Sequence, residues 1–277
     1  INTGQDNTCV GYVAGSSITT GTTNTCIGVS AGDAITSGNG NTLVGFGAGT
    51  DRTTGHNMTA VGKNAAANAT TADQIVAIGD GAMQANVTGN YNVAVGTNAG
   101  YSLTTSNNCI VGRYANMLMT SGDQTNSFGY SAGYHTTTGT YNINLAGTPS
   151  SPTASYEITL GNTGHNNLRC NDTSISSLSD RRDKTDIVDL PLGLNFINTL
   201  KPRQFKWQTR DGNIKDGSIR AGFIAQELDE AQGSNRWLQL VMDNNPDRLE
   251  ANEGHLIPLL VKAIQELSAK VTALEAA

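Results

Sequence analysis

A short pattern of apolar and small residues recurs along the first half of the chain. Its glycine, preceded by a β-branched or aromatic residue, returns after 17 residues in six intervals and after 16 in one. These glycines are Gly11, Gly28, Gly45, Gly62, Gly79, Gly96, Gly112 and Gly129, and degenerate copies follow around Gly147 and Gly161. An alanine stands three residues after each of the first eight glycines. Two residue types that keep register over eight copies define a structural repeat.

The period of 17 predicts one coil of a parallel β-solenoid, because it is too short for two helices or a propeller blade. The alternation in segments such as Asn-Thr-x-Val-Gly predicts a strand that ends at a turn. Stretches such as Ile18–Asn24 predict another turn, so we expect two short strands and two turns per coil. Coils would stack about 4.8 Å apart, with the alanine where only a small side chain fits. So few apolar residues per coil favour self-association.

A different pattern begins after residue 178. A short amphipathic helix is predicted at Leu192–Leu200. It would turn the side chains of Leu194, Ile197 and Leu200 inward. A strand, two turns and a partner strand are then predicted at Arg203–Trp207, Asp211–Gly212, Asp216–Gly217 and Ile219–Ile224. These elements together predict a small α+β module.

The last predicted helix runs from about Leu256 to residue 277. Its apolar residues recur at alternating spacings of four and three, which indicates a coiled-coil seam. The seam comprises Leu260, Ile264, Leu267, Val271 and Leu274. Combining β-branched residues at one core position with leucine at the other favours dimers in parallel coiled coils, although two heptads are too short to decide between two strands and three.

Composition separates the same two regions. Residues 1–178 hold 26 of the 32 glycines but only 12 charged residues, whereas residues 179–277 hold 28 charged residues. We therefore predict a mainly β protein in three parts. They are a repeat solenoid at residues 1–165, a linker at residues 166–178 and the α+β module at residues 179–277, whose last helix is residues 256–277.

The charge pattern excludes several classes of partner. The net charge is −6 and no basic stripe occurs, so nucleic acid is not an expected partner. No apolar run is long enough to insert into a membrane. The chain opens on Ile1 without the basic and apolar stretches of a secretory signal, and we expect it to be a piece of a longer protein.

The four cysteines and four histidines show no metal-ligand spacing, so neither a metal nor another cofactor is expected. Cys9 and Cys26 occupy the same position in successive repeats. Stacked coils would bring them to about 5 Å from each other. A disulfide and a pair of small buried apolar side chains both agree with this spacing, and the second is the commoner role of such residues.

Repeats such as Asn92–Gly100 resemble the head repeats of trimeric autotransporter adhesins, and similar glycine-rich repeats occur in phage tail fibres. The resemblance covers residues 1–165. It implies that each chain forms a parallel β-roll and that three rolls pack together as a homotrimer. The asparagines and threonines of the repeats are expected to make turns and ladder hydrogen bonds.

Four motifs occur in order in the charged module, at Ser179–Lys184, Lys201–Trp207, Gly222–Glu227 and Leu256–Leu267. In this order they resemble the C-terminal intramolecular chaperone of phage tailspikes, tail fibres and neck appendages. Those domains form a family of self-cleaving peptidases that use a serine and a lysine. The resemblance spans all of residues 179–277.

The resemblance implies a chemical role for three residues. Ser179 would be the nucleophile, and the bond between Leu178 and Ser179 would be cut once per chain. Lys184 would be the base, which requires a neutral amine, and burial or a cationic neighbour such as Arg181 or Arg182 favours that form. No cofactor is needed for this reaction.

These features lead to one leading hypothesis and two alternatives. The leading hypothesis is a fragment of a phage tail fibre or tailspike, assembled in the host cytoplasm as part of the virion. Its repeats would contact a host receptor, either a glycan or an outer-membrane protein. A bacterial trimeric surface adhesin would instead end in a membrane-anchoring barrel. A polysaccharide-degrading spike would need paired carboxylates, but the repeats contain only Glu157 and scattered aspartates.

Overall fold

The structure, a computed structural model, describes residues 3–147, 153, 155–161, 178–206, 208, 217–243, 247 and 249–277. The chain divides into two compact units, Ile1–Asn162 and Thr163–Ala277. The described residues do not include most of the predicted linker at residues 166–178, nor Cys170, Trp207 or the predicted turn at Asp211–Gly212.

The first unit is a parallel β-solenoid, as the repeat predicted. Each coil contributes one three-residue strand to a single ten-stranded sheet in which neighbours along the chain pair in order. The strands are β1 (Thr8–Val10), β2 (Thr25–Ile27), β3 (Thr42–Val44), β4 (Thr59–Val61), β5 (Val76–Ile78), β6 (Val93–Val95), β7 (Cys109–Val111), β8 (Asn126–Phe128), β9 (Ile143–Leu145) and β10 (Ile158–Leu160).

The prediction of two strands per coil was wrong, because the second half of each coil is not extended. After each strand and its glycine, some residues have left-handed backbone conformations, for example Val13 (φ 51°) and Ser30 (φ 55°). A β-strand does not accommodate such residues. Backbone hydrogen bonds nevertheless join successive coils in this half, for example from the Thr19 N–H to the Thr36 carbonyl at 2.9 Å. The coil is therefore closed by stacked turns.

The recurrent glycine is required by the close approach of one coil to the next. Gly28 has a φ of +134°, and a Cβ atom there would lie 2.4 Å from the carbonyl oxygen of Gly45. A Cβ atom at Gly45 would likewise lie 2.4 Å from the carbonyl oxygen of Gly62. A side chain would therefore meet rigid backbone as well as an unfavourable φ.

The recurrent alanine is buried, which confirms the prediction of a position restricted to small side chains. From the second repeat onward the alanines have no solvent exposure, and they are Ala31, Ala48, Ala65, Ala82, Ala99, Ala115 and Ala132. The central residue of most strands points into the same core, for example Leu43 in β3 and Ile110 in β7. Small and medium side chains thus fill a narrow interior.

A buried asparagine column confirms the predicted ladder. The Asn24 side-chain oxygen accepts hydrogen bonds from the backbone and side-chain nitrogens of Asn41, at 3.0 and 2.9 Å. Asn7 accepts in the same way from Asn24. The column satisfies backbone donors that would otherwise be buried without a partner.

Among the described residues of the solenoid, one charged residue is fully buried in this core. Arg52 is fully buried and donates from Nε to the Asn41 side chain at 2.9 Å and from Nη1 to the Ala72 carbonyl at 2.8 Å. Its Nη2 atom has no hydrogen-bond partner among the described residues. Burial lowers the pKa of the guanidinium to about 10, partly offset by the charge of Asp73.

The second unit is a small α+β module built on its own core. Its elements are α1 (Leu194–Ile197), β11 (Arg203–Lys206), β12 (Ile219–Gly222), α2 (Ala225–Gln232), β13 (Val241–Met242), β14 (Glu250–Ala251) and α3 (Leu256–Glu275). Three short 3-10 turns occur at Arg181–Asp183, Arg236–Leu238 and Glu253–His255. Strands β11 and β12 pair antiparallel, as the sequence predicted.

The core of this module collects one apolar face from each helix. It consists of Phe196, Leu228, Leu238, Leu240, Val241, Leu256 and Leu259. In α1 the buried side chain is Phe196. The predicted inward residues Leu194, Ile197 and Leu200 are only half-buried, and of these Ile197 and Leu200 pack against the core. Within the described ranges, no helix combines the length and apolar character needed to cross a membrane.

Candidate active site

A 3-10 turn brings the predicted serine and lysine together. Asp180 caps this turn, because its side chain accepts a hydrogen bond from the Arg182 backbone nitrogen at 2.8 Å. The turn closes where the Lys184 N–H donates to the Arg181 carbonyl at 3.2 Å. Lys184 Nζ then lies 2.5 Å from Ser179 Oγ and donates to it. The two groups are close enough to exchange a proton.

The charges around this pair are partly neutralised. Asp180 forms an ion pair with Arg182, with Nη2 and Oδ2 at 2.6 Å. This contact lowers the pKa of the Asp180 carboxyl and raises that of Arg182. The Asp180 carboxylate therefore partly neutralises the charge of Arg182. Arg182 consequently favours the neutral form of Lys184 less than the sequence suggested.

The pair is open to solvent in the single chain. Leu178, Ser179 and Lys184 are all exposed, as is the 3-10 turn between them. The Leu178 peptide bond is accordingly accessible, but an exposed lysine is not shielded from water by its own chain. The geometry for proton transfer is present, whereas the dry surroundings that a lysine base requires are not supplied by the described residues of one chain.

A second set of charged residues in the predicted motifs serves the fold. Glu227 at the start of α2 binds Arg203 of β11 with both carboxylate oxygens, one of them at 2.8 Å from Nε. The ion pair lowers the pKa of Glu227, mainly through the hydrogen bond. Because its carboxylate is committed to Arg203, Glu227 joins the hairpin to α2 in this structure.

The terminal helix presents two different faces. Leu256, Leu259 and Ala263 are buried in the module core. The predicted seam is exposed in the single chain, and it consists of Leu260, Ile264, Leu267, Val271 and Leu274. A helix that keeps five apolar side chains on its outer stripe is typical of a coiled-coil surface without its partner.

The helix is tied to the module by a contact that sequence reasoning missed. Glu266 accepts a hydrogen bond from the Leu194 N–H at 2.8 Å and so satisfies a free donor at the start of α1. A Cβ atom at Gly193 would lie 2.5 Å from the Glu266 carboxylate, so the glycine leaves room for it. The two partners are 72 residues apart, and no local pattern reports such a contact.

The solenoid also carries an outward apolar column. The third residue of each strand is apolar in all ten coils and is exposed or half-buried. The column comprises Val10, Ile27, Val44, Val61, Ile78, Val95, Val111, Phe128, Leu145 and Leu160. Such a continuous apolar surface is unusual on a chain that works alone.

These features define a class of protein, a glycine-rich β-solenoid followed by a small α+β module. Residues 179–235 match the family model described as the chaperone of endosialidase, which is a peptidase family. The match confirms the predicted C-terminal chaperone and agrees with a tail fibre or tailspike origin. The family implies a self-cleaving intramolecular chaperone. No curated protein and no solved structure matches the chain.

Proposed function

We propose that this chain is part of a homotrimeric phage tail fibre or tailspike whose C-terminal module directs trimerisation and then cuts itself off at the Leu178–Ser179 bond. The observation that carries the proposal is the contact of Lys184 Nζ with Ser179 Oγ inside the matched region. The repeats would form the virion part that contacts a glycan or an outer-membrane protein on the host.

The need for a chaperone follows from the solenoid. Its three-residue strands pair only with neighbouring coils, and its outward apolar column leaves surface to cover. Aligning three such chains in register is a slow, non-local search during which exposed apolar surface promotes aggregation. A C-terminal seam that first joins the three chains raises their local concentration and shortens that search.

The proposed cleavage begins with attack of Ser179 Oγ on the carbonyl carbon of Leu178. Lys184 accepts the hydroxyl proton and returns a proton to the Ser179 nitrogen as the peptide C–N bond breaks. The product is an ester between Leu178 and Ser179. One water molecule then hydrolyses the ester, which yields a Leu178 carboxylate and a free Ser179 amino terminus. The attack is intramolecular, so a high effective concentration replaces substrate binding.

Assembly would supply what the single chain lacks. Lys184 donates to Ser179 in the present geometry, and the reaction requires the reverse, a neutral amine that accepts from the hydroxyl. Lys184 is exposed in one chain, so we propose that packing of the other two chains removes water from it. Cleavage would then follow trimerisation and make release of the chaperone irreversible.

The test is the intact mass of freshly purified protein together with its native mass. Uncut wild-type chain has a mass of 28.9 kDa, and we expect two fragments that meet at residues 178 and 179. Ser179→Ala and Lys184→Arg should both give uncut trimer, the second because arginine stays protonated. A wild-type chain that stays whole after long incubation at neutral pH would refute self-cleavage. Cleavage that persists in Ser179→Ala would refute the nucleophile.

A matched pair of variants on α3 separates trimerisation from cleavage. Ile264→Asp puts a carboxylate on the seam, whereas Gln265→Asp adds the same charge at the neighbouring exposed position off the seam. We expect only Ile264→Asp to abolish both the trimer and the cut, because a charge in the seam would be buried without a partner. Cleaved monomer from Ile264→Asp would contradict the proposed dependence on assembly.

A further inference from the structure

Cys9 and Cys26 face each other on neighbouring strands. They are directly opposed partners in the pairing of β1 with β2, and both are free thiols. Paired parallel strands lie about 4.8 Å apart. Disulfides join residues whose Cα atoms are about 4.4 to 6.8 Å apart, so the backbone already meets this requirement.

The two sulfur atoms occupy equivalent interior places. A Cβ atom at Gly15 would lie 2.5 Å from Cys9 Sγ, and one at Gly32 would lie 3.0 Å from Cys26 Sγ. Each sulfur therefore packs against the glycine six residues after it, one coil above the other. Side-chain rotation alone, without a change of register, would bring the sulfurs toward bonding distance.

The two thiols differ in accessibility. Cys26 is fully buried in the solenoid core, whereas Cys9 is half-buried and packs against that core. Burial raises the pKa of Cys26 to about 12, and the charge and hydrogen bond of Cys9 add to the effect. Cys26 is consequently a poor nucleophile while Cys9 is a free thiol.

We propose that Cys9 and Cys26 form a redox-controlled staple, a dithiol that a small disulfide oxidant such as oxidised glutathione closes to a disulfide across the coils of β1 and β2. The pair would pack as two small apolar side chains when reduced. It would link two coils covalently when oxidised.

The reaction proceeds by thiol–disulfide exchange. The Cys9 thiolate attacks one sulfur of oxidised glutathione, forms a mixed disulfide and releases one glutathione thiolate. Two of the influences that raise the pKa of Cys26 come from the Cys9 thiol and disappear at this point. The Cys26 thiolate then attacks Cys9 Sγ and releases the second glutathione. The protein loses two protons and two electrons, and the oxidant disulfide is reduced to two thiols.

Cys109 provides an internal contrast. It begins β7, and its partners on the neighbouring strands are Val93 and Asn126. Neither of these partners is a cysteine, so among the described residues the register offers Cys109 no cysteine for a cross-strand disulfide. Cys9 and Cys26 can therefore pair because the strand register places them opposite each other, and not merely because the chain contains several cysteines.

The experiment uses the full chain carrying Cys109→Ser and Cys170→Ser, which leaves the two thiols of interest. Folded protein is incubated with oxidised glutathione, quenched, unfolded and alkylated, and the mass is read on whichever species contains residue 9. We expect loss of both alkylation adducts, a mass lower by two hydrogens and recovery on reduction. The oxidised form should also melt at a higher temperature than the reduced form, because the link restricts the unfolded chain.

Two further variants make the result decisive. Adding Cys26→Ser should leave a mixed disulfide on Cys9, whereas adding Cys9→Ser should leave Cys26 unmodified in the folded protein. Several outcomes would overturn the staple: both thiols still alkylated, a mixed disulfide on Cys9 that never resolves, or closure only after unfolding. An oxidised protein with an unchanged melting temperature would overturn its stabilising role.

Discussion

The solenoid and the C-terminal module hold their folds by contacts of opposite kinds. In the solenoid almost every contact repeats, as in the Asn24–Asn41 ladder, whose partners are 17 residues apart. In the module the important contacts are unique, such as the hydrogen bond from Leu194 to Glu266 across 72 residues. A repeat array is stabilised by nearest neighbours, whereas the module depends on bringing distant segments together once.

In the proposed trimer, this difference gives a reason for one chain to carry both regions. A solenoid of nearly equivalent coils offers few unique contacts to fix how the three chains of the proposed trimer align, since a shift by one coil preserves most of the packing. The module has a single arrangement, because its core forms from segments between Phe196 and Leu259 that occur once. It is therefore suited to set a register that the repeats cannot set for themselves.

The largest expected effect tests how the coils meet. In Gly28→Ala the new Cβ atom would lie 2.4 Å from the Gly45 carbonyl oxygen at a φ of +134°. We expect a loss on the order of 4 kcal/mol in unfolding free energy, because backbone on both sides must move. Thermal and urea unfolding of the solenoid measure it.

The module offers the matched control for this substitution. Gly217 also has a positive φ, of +72°, but apart from its chain neighbours no described residue has an atom within 4 Å of a Cβ placed there. Gly217→Ala should therefore cost only about 1 kcal/mol, from backbone strain alone. Equal losses in the two variants would show that close approach of the coils is not the reason for the recurrent glycine.

The second prediction concerns the alanine column. Ala48 and Ala99 are fully buried, so Ala48→Leu or Ala99→Leu would force a larger side chain between stacked coils. We expect a loss of about 1–3 kcal/mol per chain, measured by thermal unfolding. The half-buried Ala14 in the first repeat is the control, and Ala14→Leu should cost less. An unchanged melting temperature for both buried variants would contradict the stacked interior.

The repeat made the solenoid predictable in unusual detail, for a physical reason. Only glycine tolerates the backbone contact at Gly28, and only a small residue fits at Ala48. The same two requirements recur in each coil, so the same residue types recur in the sequence. The strand number per coil was not predictable, because Thr- and Ser-rich segments suit a strand or a chain of turns equally well. Residues with a left-handed backbone, such as Ser30, show that the segment forms turns and not a strand. The amino-acid composition does not predict these φ values.

The candidate site was predictable only in part. The motif from Ser179 to Lys184 placed the two groups together, and the 3-10 turn accounts for their contact. The exposure of Lys184 was not predictable, since it depends on what packs over the turn. The Glu266 contact was missed because it joins distant segments. Arg52 could have been found, since it stands seven residues after Gly45, where Ile18 and Ile35 follow their own glycines.

The third prediction uses that irregular coil to sharpen the comparison. Arg52→Leu places at this position the kind of side chain that Ile18 and Ile35 provide in earlier coils. We expect the unfolding free energy to rise by about 1–2 kcal/mol, because an apolar side chain replaces a buried cation whose Nη2 has no partner among the described residues. Urea unfolding at neutral pH measures the change. A marked loss of stability would show that the contact with Asn41 is indispensable.

The pH dependence of that difference has a definite sign. The pKa of Arg52 is about 10 in the folded chain and 12.5 as its ordinary value, so the unfolded chain binds more protons between these limits. The contribution of Arg52 to stability therefore rises with pH in this window. Below about pH 10 the Arg52 side chain is charged in both the folded and the unfolded chain, so the burial of its charge lowers the unfolding free energy by the full amount. The advantage of Arg52→Leu over wild type should thus be constant up to about pH 9 and shrink above pH 10.

The smallest expected effect tests a contact that occurs only once. Glu266→Ala removes the acceptor for the Leu194 N–H and should cost about 1 kcal/mol in the unfolding of the module. Glu266→Gln keeps an oxygen at the same reach and should cost less. Gly193→Ala should resemble Glu266→Ala, because the new Cβ atom displaces the flexible carboxylate rather than backbone. If the contact is the shared cause, Gly193→Ala should add almost nothing in a Glu266→Ala background, and additive losses would contradict that assignment.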